Sequence, residues 1–71
     1  MNRYFFHVVS EDVNATDLVG VELKTVAAAR DHAEAKLKEL WAQRVLAGQP
    51  PLSGWLEVVD QEERAVLTLQ L

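Results

Sequence analysis

The first strongly apolar stretch, residues 3–9, reads RYFFHVV and contains neither glycine nor proline. Aromatic and β-branched residues at this density are typical of a β-strand. Successive side chains of a strand point to opposite faces of its sheet, so this strand presents two different surfaces. We predict that the more apolar set faces the core, and this set is Tyr4, Phe6 and Val8. The other set mixes charge with apolar surface and is Arg3, Phe5, His7 and Val9.

A polar connection, Ser10–Asp17, follows the first strand and leads into a shorter apolar stretch, LVGVEL, at residues 18–23. This stretch predicts a second strand. Gly20 within it permits a bulge or a close approach of another backbone segment.

The middle of the chain, from Val26 onward, is rich in Ala, Leu, Lys and Glu and predicts one long α-helix. Thr25 is a natural N-cap, and Gly48 suits the position after the C-cap. The Pro50-Pro51 pair prevents any continuation. With about 3.6 residues per turn, the apolar side chains form one stripe, which has Trp41 at its margin and contains Val26, Ala29, Ala33, Leu37 and Leu40.

The last third of the chain predicts a β-hairpin, with strands at residues 54–60 and 65–71 and a polar turn, QEER, between them. In the first strand, Leu56 and Val58 alternate with Trp55, Glu57 and Val59. In the second strand, one alternating set is Ala65, Leu67, Leu69 and Leu71, and the other is Val66, Thr68 and Gln70.

The predicted element order is therefore ββαββ, which indicates a single α+β domain over residues 1–71. We expect a small antiparallel sheet with the long helix packed on one face and the first strand in the interior of the sheet. The predicted core is Tyr4, Phe6, Val8, Leu37, Leu40, Leu56, Val58, Leu67 and Leu69.

Two surfaces of this predicted fold lack a cover. One helix covers only one face of the sheet, so apolar side chains on the other face stay exposed. The helix, rising about 1.5 Å per residue, is also longer than a seven-residue strand at about 3.3 Å per residue. Its C-terminal end, with Trp41, Val45 and Leu46, is therefore exposed unless the Pro50-Pro51 loop or another subunit covers it.

Self-association would cover both surfaces. A chain of 71 residues without cysteine has no disulfide to supplement a small core. We therefore predict a two-fold homodimer, in which His7 would be a pH-sensitive member if it met Glu57 across the contact. The predicted interface residues are Phe5, His7, Trp55, Glu57, Val59, Val66, Trp41 and Val45.

The charge of the chain narrows the choice of partners. Seven Lys and Arg against eleven Asp and Glu give a net charge of −4, which repels a phosphate backbone. We expect neither nucleic-acid binding nor a membrane-surface helix. The absence of a signal-peptide pattern and of a long apolar run predicts a cytoplasmic protein.

No arrangement typical of catalysis or metal binding occurs in the sequence. His7 and His32 lie on different predicted elements, and His32 is expected on the solvated side of the helix, opposite the apolar stripe. Without cysteine or a closely spaced histidine pair, a zinc site is not expected. Ser10 and Ser53 lie in predicted loops that do not match a nucleophile elbow. We therefore expect no enzymatic activity and no cofactor, and the sequence identifies no small-molecule substrate.

The order of three segments resembles a known family across nearly the whole chain. These segments are RYFFHV, DLVGVEL leading into AAARDHA, and GWLEVVD followed by a last apolar strand. They are similar to a family of small stand-alone bacterial proteins known only as a domain of unknown function. The resemblance implies the fold and a bacterial setting, and it transfers no catalytic or binding residue. The chain departs from the pattern by lacking a proline after Leu23 and a glycine in the last hairpin turn.

Three functional hypotheses remain open. The first is a small non-enzymatic interaction or regulatory module that forms a homodimer and binds an unidentified protein. The second rests on a similarity of DLVGVELKTVAAARDHAEAKLKEL to small antitoxins with a partial RNase H fold, which bind a toxin. The third is a weak RNA platform, in which Phe5, His7 and Trp55 stack bases beside Arg3. The net charge and Glu57 disfavour the third hypothesis.

Overall fold

A computed structural model describes residues 1–11 and 13–71. Asp12, within the predicted polar connection, lies outside the described residues. The elements are β1 (Asn2–Ser10), β2 (Asn14–Ala15), β3 (Val21–Leu23), α1 (Val26–Leu46), β4 (Gly54–Val59) and β5 (Ala65–Gln70). The α+β class and the single long helix are as predicted. The short strand β2 is an addition to the predicted order.

The strands form an antiparallel sheet in which β1 and β4 occupy the interior. On one side, β1 pairs with β4 in the register Phe6↔Val58 and Val8↔Leu56. On its other side, β1 pairs with two short strands, β3 near its start and β2 near its end. The second predicted strand is therefore only three residues long, because the chain bends at Leu18 and Val19 before β3 begins.

The helix begins and ends where the sequence predicts. The Thr25 hydroxyl accepts a hydrogen bond from the Ala28 N–H at 3.0 Å, which satisfies one free amide of the first turn. At the other end, Gly48 has a positive φ of 67°. Its N–H donates to the Val45 carbonyl, and the Gln49 N–H donates to the Arg44 carbonyl. This is a Schellman arrangement, which requires a left-handed residue after the C-cap.

The hydrophobic core lies between α1 and the inner face of the sheet. Ala29 and Ala33 are fully buried, so small side chains bring the helix axis close to the sheet at this end. The predicted core residues Tyr4, Phe6, Val8, Leu37, Leu56 and Val58 are buried. Leu40, Leu67 and Leu69 are half-buried and pack against the same cluster. Leu52, in the loop after the helix, is also buried, although it belongs to none of the predicted helices or strands.

A β-bulge in the last hairpin corrects the predicted placement of Val66. Val58 pairs with Leu67 and Val59 pairs with Ala65, so Val66 is the extra residue. Because of this extra residue, the side chains of β5 before Leu67 point to the face opposite to the one that regular alternation predicts. Val66 therefore packs against the core cluster and not on the outer face, where alternation had placed it. Ala65, predicted on the core side, is exposed opposite Val59.

The turn before this bulge leads into Glu63, which has a left-handed backbone conformation. Asp60 accepts hydrogen bonds from the Glu62 and Arg64 N–H groups, and its carbonyl accepts from the Glu63 N–H. The pKa of Asp60 lies below its usual value, mainly because its carboxylate accepts the hydrogen bond from the Arg64 N–H and also because it accepts the one from the Glu62 N–H. Glu63 follows the turn with a φ of 63°, a left-handed conformation that glycine adopts without strain.

Replacing Glu63 by glycine should therefore stabilise the protein. We expect the free energy of unfolding to rise by about 0.5–1 kcal/mol, the left-handed penalty less the extra chain entropy of glycine. Chemical unfolding followed by tryptophan fluorescence measures this change. The control is Glu62→Gly, which should destabilise because Glu62 is outside the left-handed region. Equal losses in both variants would contradict the left-handed conformation of Glu63.

Candidate functional site

The outer face of the sheet, opposite α1, carries three rows of paired side chains. Phe5 lies opposite Val59, His7 lies opposite Glu57, and Val9 lies opposite Trp55. We call this side of the sheet, which includes these six residues, the outer face. The register makes Glu57 the neighbour of His7 within the same sheet, so a contact between these two residues does not need a second subunit. Trp55 is 44% exposed, but Val59 is only 7% exposed even without a partner.

Asp17 explains how this part of the sheet is closed without a continuous strand. Its Oδ2 accepts a hydrogen bond from the Phe6 N–H at 3.1 Å, at the gap between β2 and β3. Its Oδ1 accepts from the N–H groups of Val19 and Gly20, each at 3.0 Å. One carboxylate thus replaces the missing ladder partner of β1 and also fixes the loop of residues 16–20.

The ionisation of Asp17 follows from these contacts. Burial alone raises the pKa of the carboxyl, but the hydrogen bonds from the Gly20, Phe6 and Val19 N–H groups outweigh it, and the Lys36 charge adds to them. The net result is a pKa below the usual aspartate value. Asp17 is therefore a carboxylate at neutral pH, which is the form that accepts all three hydrogen bonds.

His7 is held by the same loop. Its Nδ1 accepts a hydrogen bond from the Asp17 N–H at 3.0 Å. A nitrogen that accepts carries no proton, so this hydrogen bond assigns the neutral ring proton to Nε2. His7 therefore has a structural partner within the chain.

Gly20 lets the loop lie directly on the outer face. Its φ is 76°, and a Cβ atom at this position would lie 2.8 Å from Arg3 Cγ and 2.9 Å from Phe5 Cε2. Arg3 holds the loop from the other side, because its guanidinium donates to the Val19 carbonyl at 2.9 Å and to Glu22 at 3.0 Å. The loop leaves a shallow depression of about 280 Å³. It is lined by Phe5, His7, Thr16, Asp17, Leu18, Val59, Gln61 and Glu63.

The C-terminal end of α1 forms a second apolar surface, as predicted. Trp41 is 46% exposed, and Val45 and Leu46 are 78% and 87% exposed. The following loop is tied to this end by hydrogen bonds from Arg44 to the Pro50 carbonyl and the Gln49 side chain. It nevertheless leaves the apolar side chains exposed. The result is an open groove of about 350 Å³. The groove is lined by Trp41, Val45, Gln49, Pro51 and Leu71.

The two surfaces meet at one end of the sheet. Trp55 lies opposite Gln70 on the outer face, and Leu71 lines the groove beside Trp41 on the helix side. The end of β5 is therefore flanked by both tryptophans of the chain. Val66, which was predicted to belong to the interface, lies on the helix side and lines a separate depression with Tyr4 and Val26.

Two of the remaining candidate chemical residues, His32 and Ser10, have structural partners, and Ser53 is exposed in the loop before β4. His32 is exposed, as predicted, but its ring lies against Phe6 with ring centroids 4.7 Å apart, so His32 lies beside the apolar stripe and not opposite it. Ser10 is buried, and its hydroxyl donates to the Val13 carbonyl and accepts from the Val13 N–H. Within residues 1–11 and 13–71, no three metal-ligating side chains gather in one place.

The residues that organise the outer face are Asp17, Gly20 and the loop between them. The sequence predicted a close approach at Gly20, which the structure shows against Arg3 and Phe5, but it did not indicate the role of Asp17. The spacing Asp-x-x-Gly is a turn signal, because an aspartate side chain can accept hydrogen bonds from amides two and three residues later. That signal indicates the local turn. It does not indicate that the second carboxylate oxygen accepts from Phe6 in a distant strand.

Comparisons with known proteins identify a family through a single family model. A protein-family model, Domain of unknown function (DUF6894), matches residues 3–71. No curated protein and no solved structure matches the chain. In the part of the chain that the structure describes, no helix is both long and apolar enough to span a membrane.

Proposed function

The chain belongs to the family of domains of unknown function whose model covers residues 3–71, and from this premise we propose that it is a small, non-enzymatic interaction protein that forms a homodimer. The observation that carries the proposal is the exposure of both tryptophans, Trp41 and Trp55, at one end of the sheet. Tryptophan is among the residue types that contribute most to the binding energy of protein interfaces.

The size of the chain supports the same proposal. Its accessible surface is 4887 Å², and a stable protein contact buries about 800 Å² on each partner. A homodimer would therefore remove roughly a sixth of this surface from water. For a chain without a disulfide, such burial is one of the few available supplements to a small core.

The proposed contact centres on the helix end and the adjoining part of the outer face. Trp41 and Val45 contribute from the helix, and Trp55 contributes from the sheet. Phe5, His7 and Glu57 are half-buried and belong to the margin of this surface.

A cytoplasmic setting in bacteria fits the absence of cysteine and the resemblance to bacterial proteins.

Sedimentation equilibrium at tens of micromolar should give twice the 8.0 kDa mass of the chain. Trp41→Ala and Trp55→Ala should each weaken the dimer about tenfold or more, as expected for a central aromatic contact. Leu18→Ala is the control, because Leu18 is an apolar side chain that is even more exposed than the two tryptophans, at 86%, but lies on the loop at the far edge of the sheet. A monomeric wild-type protein would refute the proposal.

An antitoxin-like module is the second candidate, and one observation favours it. The net charge of −4 complements a small basic partner. A neighbouring gene for such a protein, and a stable complex of the two purified chains, would support this function. Retention of labelled RNA at physiological salt would instead support the RNA platform, which Glu57 beside His7 disfavours.

A further inference from the structure

The free edge of β5 differs from the opposite edge of the sheet. Beyond β1, the sheet ends in two strands of two and three residues, and Asp17 occupies the gap between them. Short, interrupted edge strands resist pairing with another chain. At the other end, β5 pairs with β4 on one side, and no described strand pairs with its second side. The six residues of β5 form the longest open edge of the described sheet.

Apart from the bulge at Val66, the sequence of β5 gives this edge no protection, and the strand is regular from Leu67 onward. Residues 65–71 read AVLTLQL, without a charged residue or a proline. Natural proteins usually protect an exposed edge with lysine, proline or inward-pointing charges. Leu67 and Leu69 on this strand are only half-buried in the single chain.

The hydrogen-bond pattern of β5 defines which backbone groups are free. The Leu71 N–H donates to the Gly54 carbonyl of β4 at 3.0 Å. Because the direction of the backbone N–H and C=O groups alternates along an antiparallel ladder, the backbone groups of Leu69 and Leu67 also point toward β4. The N–H and C=O groups of Thr68 and Gln70 therefore point away from β4, at the open edge.

We propose that two copies of the chain join through β5, paired antiparallel about a two-fold axis at Thr68, to form one continuous sheet. This inference rests on the proposed homodimer and names its contact. In this register Leu67 lies beside Leu69 of the second copy on the helix side, and the two Thr68 side chains meet on the outer face. The strand is thus complementary to itself.

A second copy is the occupant that fits these features. Two identical neutral strands bring no like charges together, whereas the rest of the chain carries a net charge of −4. The protected opposite edge prevents further addition, so the pairing closes as a dimer and does not continue as a fibre. Trp55 and Trp41 flank the end of β5 on the two faces, so the same approach brings both surfaces toward the second copy.

Cysteine substitution tests the axis directly, because the chain has no cysteine of its own. In this register the two Thr68 Cα atoms are about 5.5 Å apart, within the range that a disulfide spans. Mild oxidation of Thr68→Cys should therefore give a covalent dimer. Thr16→Cys is the matched control on the opposite side of the sheet, and it should remain uncoupled at the same concentration.

Two further measurements separate edge pairing from contact through the outer face. Thr68→Lys, an exposed substitution outside the core, should weaken the dimer at least tenfold, and Thr16→Lys should leave it unchanged. Amide exchange at Thr68 should slow at least tenfold between dilute and dimer-saturating protein, because its N–H becomes a ladder donor. The exchange of Leu18, in the exposed loop, should not change.

The outcomes distinguish this inference from the proposed function. A wild-type protein that is monomeric at all concentrations overturns both. A wild-type dimer that Thr68→Lys leaves intact, with no concentration-dependent exchange at Thr68, overturns the β5 contact and leaves the homodimer standing. Loss of dimer in Thr68→Lys, together with the specific disulfide of Thr68→Cys, establishes the β5 axis.

Discussion

Replacing Gly20 by alanine should lower the free energy of unfolding by about 2–3 kcal/mol. Two costs combine at this position. A non-glycine residue at a φ of 76° costs about 1–2 kcal/mol. The new Cβ would also lie 2.8 Å from Arg3 Cγ and 2.9 Å from the Phe5 ring, so both side chains must shift from their packed positions.

Gly48 provides a matched control for this prediction. Its φ of 67° is nearly the same, but no atom lies within 4 Å of the position that a Cβ would occupy. Gly48→Ala should therefore show only the conformational cost, about 1 kcal/mol after the gain from a less flexible unfolded chain. Urea unfolding of both variants separates the two costs. Equal losses would mean that the loop is not packed on Phe5.

Replacing Asp17 by alanine should lower the free energy of unfolding by about 2 kcal/mol or more. Three N–H groups lose a charged acceptor, and hydrogen bonds to charged groups contribute about 1.5–3 kcal/mol where they are protected from water. Water can reach part of this loop, which moderates the total. Amide exchange at Phe6 gives a residue-specific readout, because its N–H has no strand partner once the carboxylate is gone.

The same carboxylate predicts how stability depends on pH. The folded state lowers the pKa of Asp17, so the folded protein takes up this proton at a lower pH than the unfolded chain does. Its stabilising contribution is complete above the aspartate pKa of the unfolded chain, about 3.9, and is lost as the pH falls through the lower folded value. Asp17→Asn should flatten this acid limb. Asp31→Asn, on the exposed helix surface, is the control and should not change it. An unchanged limb in Asp17→Asn would contradict the assigned role.

The predictable parts of the fold are those with local signals. Thr25 and Gly48 determine the helix ends through contacts within a few residues, and both lie where the sequence predicted. The alternation of Tyr4, Phe6 and Val8 identified the inner face correctly, because a strand without a bulge keeps its period of two.

The parts that were missed depend on geometry beyond local pattern. Val66 changed faces because a turn with a left-handed Glu63 feeds a bulge, and glutamate gives no sequence signal for that conformation. The loop that covers Phe5 is held by Asp17, whose carboxylate accepts a hydrogen bond from the Phe6 N–H, eleven positions earlier in the sequence. Sequence alone identified Trp41 and Val45 as exposed, because helix length could be compared with strand length. It gave no indication of which edge of the sheet stays open.

The pairing of β1 with β4 has a consequence for synthesis on the ribosome. These two interior strands lie more than half the chain apart, with the whole of α1 between them. Contacts of such separation form late in folding, because a long loop must first close. The apolar first strand therefore emerges long before its main partner has been translated. The short strands β2 and β3, joined by the Asp17 loop, are the only described partners that follow it closely. They are therefore the pairing partners that the described chain offers to the nascent strand until the C-terminal hairpin arrives, and aggregation competes with folding during that interval.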